Sequence, residues 1–523
     1  MLTATLLKGM SRSGARASHR TRAIAQQMMS TASSAATSEP PVIFESNLAV
    51  RTYILNRPLK LNALDEPMLA LLRPKIEEWS ASDLCGTIVG TGVGRAFCAG
   101  GDVASVVEKA SNPETRAEAV DFFKREFEMD YILASLPKPY VAILDGHTMG
   151  GGVGLAAHAP FRIATENTVF AMPETKIGYC PDVGGSYFMS RLDGEMGTYL
   201  ALTGNTLRGR HVFESGFATH YIPSRRIPIL LDRLAGLENA HVSVINSTVE
   251  EFTAERLPEE PPLTLVGEVR DALDYAFRHN MVEKIIQDLG TLAEHPSPAI
   301  SQWAKQVSGA LHLRSPTSLK VALKAIRQGK KMTLLQALEM ELKIATAYCV
   351  SNLLIVFVFV PEEHYLDHQN GASPDFATGV RAVLGPEKGK RNAPIEWSPS
   401  TLEGVSDEIV ARFFAPDSTY LSSAPSLSIP RHLKSDAGTH KPMKYALPTE
   451  DEIGAMVRGS HSAGGGTGLS LDELVSSFDN VRNGKIGVRK KVLEVARRRC
   501  EIQDNGGDGN FVWLKWKHQL NKP

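Results

Sequence analysis

The chain has 523 residues, room for roughly two to four domains, and its 43% hydrophobic and 22% charged residues are the balance of a globular protein, not a disordered one. Its 57 Lys and Arg against 58 Asp and Glu give a net charge of −1, which excludes a global field steering it to nucleic acid; such a contact has to be a local patch. The five cysteines, Cys85, Cys98, Cys180, Cys349 and Cys500, include no CxxC pair, which argues against zinc and a disulfide framework and fits a reducing compartment.

Residues 1–38 carry Lys8, Arg12, Arg16, Arg20 and Arg22, twelve Ser or Thr, and no acid before Glu39. That is the composition of a mitochondrial presequence, so the segment is set apart from the fold. Residues 42–57 alternate around Ser46-Asn47 and predict a hairpin, stopped by Pro58. Asp65-Glu66-Pro67 supplies an N-cap and an early proline, and Met68, Leu69, Leu72, Ile76 and Trp79 follow at helical spacing. A strand at 87–91 leads to a glycine turn, Gly92 to Asp102. Helices are predicted at 103–110 and 114–135. A strand at 140–144 leads to a second glycine run, Gly150, Gly151, Gly152 and Gly154. Strands alternating with helices make this an α/β chain.

Residues without side chains let backbone N–H groups approach a ligand, and at a helix start those groups are unpaired and favour negative charge. Two such turns can present two donors to one oxygen, the arrangement that thioester and other acyl chemistry needs. Two carboxylates follow in unusual settings. Glu174 comes after the apolar Phe170-Ala171-Met172-Pro173, at a dry strand end where burial raises a carboxyl's pKa toward that of a general base. Asp182 lies eight residues on, in Pro181-Asp182-Val183-Gly184-Gly185. Glu126, between Lys124, Arg125, Glu128 and Asp130, reads from its neighbours as a solvated surface charge.

The segments GRAFCAGGD, MGGGVGL, FAMPET and PDVGG, with LNRPLKLNALD at 55–65, resemble the enoyl-CoA hydratase/isomerase (crotonase) superfamily, and within it the 3-hydroxyisobutyryl-CoA hydrolase branch. The likeness is dense over 42–225 and looser over 226–415. It implies a crotonase-like spiral of ββα units with a helical C-terminal domain over the acyl pocket. It implies oxyanion donors at the N–H groups of Gly101 and Gly151, Glu174 and Asp182 as catalytic acids, and Glu126, Gly151, Glu174 and Asp182 as substrate contacts. The implied substrate is an acyl-CoA, with CoA part of that substrate and no metal or separate cofactor. The implied reaction releases CoA and 3-hydroxyisobutyrate, a step of valine breakdown in the mitochondrial matrix. Superfamily hydratases carry a glutamate three residues beyond the second oxyanion glycine, where this chain has Gly154, and a glycine where it has Asp182. That exchange favours hydrolase over the alternative, a hydratase or isomerase. Superfamily members commonly form trimers and hexamers, so self-association is an expectation too.

Residues 195–225 predict helix, turn and helix, and 226–300 are helix-rich, with a Pro/Glu linker at 258–262. Ser315-Pro316 starts another helix, and 333–348 continues helical. The stretch 350–373 does not fit the pattern, which runs from near Cys349 to Pro374. Its apolar run Leu353–Val360 is too short to span a bilayer. It reads as translated intron or as a true insertion packed as an extra strand. Past 416 lies an extension to 523, with Ser/Pro/Gly-rich linkers at 418–430 and 459–468. Residues 485–499 (KIGVRKKVLEVARRR) hold seven Lys or Arg against one Glu, followed by aromatics among lysines at 513–517. Such a pattern is a solvated helix face or a surface for RNA phosphates and bases. The long tail resembles that of fungal mitochondrial members of the hydrolase family that belong to the small ribosomal subunit, which implies rRNA and ribosomal proteins as partners of 416–523. The division of the chain is then presequence 1–38, core 40–225, helical domain 226–415 and extension 416–523.

Overall fold

Each turn of the chain between Thr87 and Ala171 contributes one strand to each of two sheets. The computed structural model describes residues 39–238, 241–350, 371–385, 394–434, 443–464, 468–504 and 512–517; the expected presequence at 1–38 and positions 351–370 of the stretch that did not fit lie outside the described residues. Residues from Val42 on form one unit. It opens with an antiparallel hairpin, β1 (Val42–Asn47) and β2 (Val50–Leu55). The reversal falls at Leu48-Ala49, two residues later than expected, with Leu48 at φ 47°. In α1 (Glu66–Ala81) the Asp65 side chain accepts from the Met68 N–H at 3.0 Å, and the five apolar residues at helical spacing are all buried.

Three ββα turns follow. β3 (Thr87–Gly92) and β4 (Ala96–Cys98) lead to α2 (Val103–Ser111) and α3 (Arg116–Ala134). β5 (Tyr140–Leu144) and β6 (His147–Met149) lead to α4 (Gly151–Ala157). β7 (Phe161–Ala164) and β8 (Val169–Ala171) lead to a 3-10 turn, Glu174–Ile177, and to α5 (Gly185–Met189). Then come α6 (Met196–Thr203), β9 (Leu207–Arg208), α7 (Arg210–Glu214) and β10 (His220–Tyr221). One sheet runs β1-β2-β3-β5-β7-β10 and the other β4-β6-β8-β9. The expected helix, turn and helix over 195–225 thus also holds two strands. Each is two residues long, too short for alternation to show. Because β4, β6 and β8 are adjacent and parallel, the segments leaving their carboxyl ends lie side by side. Those segments carry Gly101, Gly151 and Glu174.

The second part is helical: α8 (Ile227–Ala235), α9 (Val242–Phe252), α10 (Gly267–Phe277), α11 (Val282–Leu292), α12 (Pro298–His312), α13 (Pro316–Gly329), α14 (Leu334–Cys349) and α15 (Asp375–Leu384). Ser315 caps α13 as its sequence predicts, accepting from the Ser318 N–H at 3.0 Å. A Thr333–Gln336 capping box starts α14, which packs against α3 and α5. The chain leaving α14 and the chain returning at Gly371 meet, where the Ala372 N–H donates to the Ala347 carbonyl at 2.7 Å.

The short α16 (Asp407–Ala411) closes the helical part, and the extension contains α17 (Arg431–Lys434), α18 (Glu450–Val457), α19 (Leu471–Val481), α20 (Val488–Arg499) and a hairpin, β11 (Cys500–Asp504) with β12 (Val512–Trp516). Two expectations are corrected here. Residues 418–430 are not a free linker: Tyr420, Leu427 and Ile429 are buried and the Ser428 N–H donates to Glu128 at 2.6 Å. The basic stretch is neither a solvated face nor mainly an open cationic surface, because its charges close onto acids of the same chain. Lys485 meets Glu250, Lys490 meets Glu214 at 2.9 Å, and Lys491 meets Asp193 at 2.6 Å. Arg498 reaches Glu450 at 2.7 Å and Asp271 at 3.1 Å, and Arg499 reaches Glu450 at 2.9 Å. Trp516 is buried under Arg458 and Arg499. Arg489, Arg497 and Lys515 stay exposed. No described helix is long and apolar enough to cross a membrane.

Candidate active site

The pairing at the end of β4 frees one backbone donor. Leu64 N–H donates to the Gly100 carbonyl and Asp102 N–H to the Leu64 carbonyl, both at 2.8 Å, so the Gly101 N–H between them faces away from that pairing. The second donor sits at the first residue of α4, where a helix leaves its N–H groups unpaired. Gly150 makes the turn into that helix at φ 47°. A Cβ placed on Gly151 would stand 3.3 Å from the Gly101 nitrogen and overlap Glu126 Oε1. The two N–H groups are therefore neighbours, and only glycine at 151 leaves room for the carboxyl beside them.

Carboxyls line this spot. Glu126, from the middle of α3, is 2% exposed, so the reading of it as a solvated charge is overturned. Lys124 does form a salt bridge on this helix, but with Glu128, which also takes Arg73 and the Ser428 N–H. Glu174 follows β8 at the start of the 3-10 turn, buried, with Oε1 3.0 Å from where Gly150 would carry a Cβ. Asp182 is buried in a turn that bends through Val183 at φ 54° and Gly184 at φ 80°. The five residues Gly101, Glu126, Gly151, Glu174 and Asp182 come together from five separate segments.

Two acids that sequence reasoning missed complete the group. Glu341 of α14 is fully buried and accepts from the Gly184 N–H at 2.6 Å, the Ser186 N–H at 2.9 Å and the Ser186 hydroxyl, which fixes the turn carrying Asp182. Its signal was a lone acid on an otherwise apolar helix face, Ala337, Leu338, Ile344 and Ala345. Asp130, one turn after Glu126 on α3, is also fully buried. It was hidden by the charged residues around it.

Burial raises every one of these acids. Glu126 is pushed up to about 8 by burial and then by the charge of Glu174. Glu174 is pushed up to about 8, again by burial first, against the pull of its own backbone N–H and Lys176. Asp182 and Asp130 are raised well above the carboxylate range by burial, with Glu126 next. Glu341 rises to about 7 by burial, opposed by the hydrogen bonds from Ser186 and Gly184. Like-charged carboxyls this close do not all ionise, so the group holds protons near neutral pH. Two converging N–H donors beside such a group suit a reaction in which a carbonyl oxygen gains negative charge while a proton moves nearby.

Residues 50–414 match the protein-family model for enoyl-CoA hydratase/isomerase, and the chain belongs to that family. Its relatives are of two kinds. The small ribosomal subunit protein mS47 of Neurospora crassa is 36% identical over 485 residues, covering 91% of this chain and 88% of that protein. The mitochondrial 3-hydroxyisobutyryl-CoA hydrolase of Gallus gallus is 38% identical over 365 residues, covering 69% of this chain and 85% of that protein. Among solved structures, a carnitinyl-CoA dehydratase from Mycobacterium thermoresistibile matches with a TM-score of 0.61 at 30% identity, over 75% of this chain and 99% of that one. The fold is the α/β spiral that the motifs imply, with C-terminal helices added.

Proposed function

We propose that the protein hydrolyses 3-hydroxyisobutyryl-CoA to 3-hydroxyisobutyrate and CoA in the mitochondrial matrix. The observation that carries this reading is the pair of adjacent N–H groups at Gly101 and Gly151 with Glu174 and Asp182 beside them and no side chain at Gly154. The thioester oxygen binds between the two N–H groups. Ionised Glu174 takes a proton from water as the water oxygen attacks the carbonyl carbon. The tetrahedral oxyanion then collapses, the carbon–sulfur bond breaks, and the CoA sulfur leaves with the proton returned from Glu174. Direct attack by Glu174 through an anhydride gives the same products after water opens it. Asp182 orients the substrate hydroxyl or shares in proton transfer, and Glu126 flanks the acyl group. A hydratase would need a carboxylate at position 154, where a Cβ would come 2.7 Å from Asp130 Oδ2 and 2.5 Å from Val183 Cβ.

The test is free-thiol release from 3-hydroxyisobutyryl-CoA, with crotonyl-CoA hydration run beside it, on wild type and Glu174→Gln. Thiol release that vanishes in the variant supports the reading. Hydration of crotonyl-CoA without thiol release would replace it with the hydratase.

A second reading stands beside the first: a place in the mitochondrial small ribosomal subunit. What favours it is coverage, since the Neurospora crassa protein aligns with 91% of this chain, and the Gallus gallus hydrolase with 69%. Arg489, Arg497 and Lys515 are the exposed cations of α20 and β12 available for rRNA phosphates. Reversing these three charges is the test, because removing 416–523 would break the fold as well. Co-sedimentation with mitochondrial small subunits that persists in the triple variant would move the contact elsewhere.

A further inference from the structure

We propose that Asp130 is a specificity-determining residue that reads a hydroxyl on the third carbon of the acyl group. This rests on the hydrolase reading above and names how that site selects its substrate. Asp130 is fully buried, and both of its carboxyl oxygens are sealed from solvent without a hydrogen-bond partner, where Glu126 and Glu174 each have one such oxygen. Buried acids away from the site are all engaged: Glu128 by Arg73 and Lys124, Asp274 by Arg270 and Arg498, Asp375 by Ser315 and Ser398, Glu450 by Arg498. A buried carboxyl with nothing to bond costs stability, and such groups are retained where a ligand completes them.

Its position says which ligand group. Asp130 follows Glu126 by one turn on α3, and Gly154 follows Gly151 by one turn on α4. Asp130 Oδ2 lies 2.7 Å from where Gly154 would carry a Cβ, just as Glu126 Oε1 fills the same space beside Gly151. The pair Asp130–Gly154 is thus one level beyond the pair that holds the oxyanion donor, about 4.5 to 6 Å along the helices. From a thioester carbonyl carbon to a hydroxyl oxygen on carbon three is about 3 to 4 Å, and a hydrogen bond adds about 2.7 Å. The sum meets Asp130.

The charges of Glu126, Asp182 and Glu341 all oppose ionisation of Asp130, and burial opposes it most. A protonated carboxyl has an O–H to donate and an oxygen to accept. It donates to the hydroxyl oxygen, and the hydroxyl proton is left for Asp182, whose charge acts on the same space.

The experiment compares 3-hydroxyisobutyryl-CoA with isobutyryl-CoA, the same acyl chain without the hydroxyl, on wild type, Asp130→Asn and Asp130→Leu. The readout is the ratio of kcat/KM for the two thioesters. Asn keeps a donor and an acceptor in the same shape, so the ratio is retained. Leu loses about tenfold or more of the preference, the effect of one hydrogen bond to a carboxyl. Preference unchanged in Asp130→Leu overturns the proposal, as does an Asn variant that loses it as fully as Leu, the mark of a structural role. If Leu does not fold, Asp130→Ala takes its place. Should wild type cleave neither thioester, the hydrolase reading fails by itself. Calorimetric binding of the corresponding non-hydrolysable thioethers then decides the proposal, which is overturned if wild type shows no preference for the hydroxylated one.

Discussion

Gly151 and Glu174 place the strictest demands on the site. Any side chain at 151 collides with Glu126, so Gly151→Ala is expected to misplace one oxyanion donor and lower kcat about 100- to 1,000-fold, with KM and the far-UV spectrum little changed. Glu174→Gln is expected to lower thiol release at least about 100-fold in a folded protein. Glu174 acts in its ionised form and its pKa is raised to about 8, so kcat/KM should climb as pH rises from 6 toward 9. Glu126→Gln removes a like charge from beside it, and that ascending limb should shift to lower pH; a limb that stays in place would separate the two acids. At this scale the sequence was legible where chemistry depends on rare residue types. Glycine runs after strands and acids flanked by proline singled out the two turns, Glu174 and Asp182, and the resemblance assigned the donors to Gly101 and Gly151. Glu126 was reached by resemblance alone and Asp130 was missed, because Lys124 and Arg125 beside them look like solvent. Only tertiary packing reveals that this helix buries its acids and leaves its bases outside.

The turn 181–186 shows how one element holds another. Val183 and Gly184 both adopt positive φ, and a non-glycine residue there stores strain that its surroundings must hold. Glu341 does this from α14, through two backbone N–H groups and a hydroxyl. Glu341→Ala leaves those donors buried and unpaired, at about 1–3 kcal/mol for each. The expected outcome is a lower Tm and a lower kcat, while Glu341→Gln, which can still accept, recovers part of both. β2, β3, β5 and the helices α1 to α3 were readable because each is long enough for its period to show. β4, β6, β9 and β10 were not, since two or three residues carry no period. The basic helix α20 was readable as a helix and misread as a surface, because helical spacing reports which face is charged and not what faces it.

Over the whole molecule, the extension is bound by charge. Burial would raise Glu450, but Arg498 and Arg270 outweigh it and hold it below its usual value; for Asp193, Lys491 and Arg270 do the same. A carboxyl whose folded pKa is depressed contributes stability above its unfolded pKa, about 4, and loses it as pH falls through the folded value. Acid should therefore release the extension, seen as peptic cleavage after 416 that appears below about pH 4. Arg498→Ala leaves Glu450 and Asp274 buried without that partner and should cost about 3–5 kcal/mol in urea unfolding. The flanks of 351–370 behave differently. Ala347 and Ala372 bond to each other, so replacing residues 351–370 with a short turn should leave Tm within about 2 °C of the starting value.

The closure of α20 onto the rest of the chain also has a consequence in time. During synthesis the cations of 485–499 emerge after Glu214, Glu250, Asp193 and Asp271. Until they arrive, those acids have only part of their partners, Arg256 at Glu214 and His220 at Glu250, and the seam that α20 closes stays open. A premature stop anywhere before Lys485 would therefore leave that seam without the helix and the hairpin that cover it.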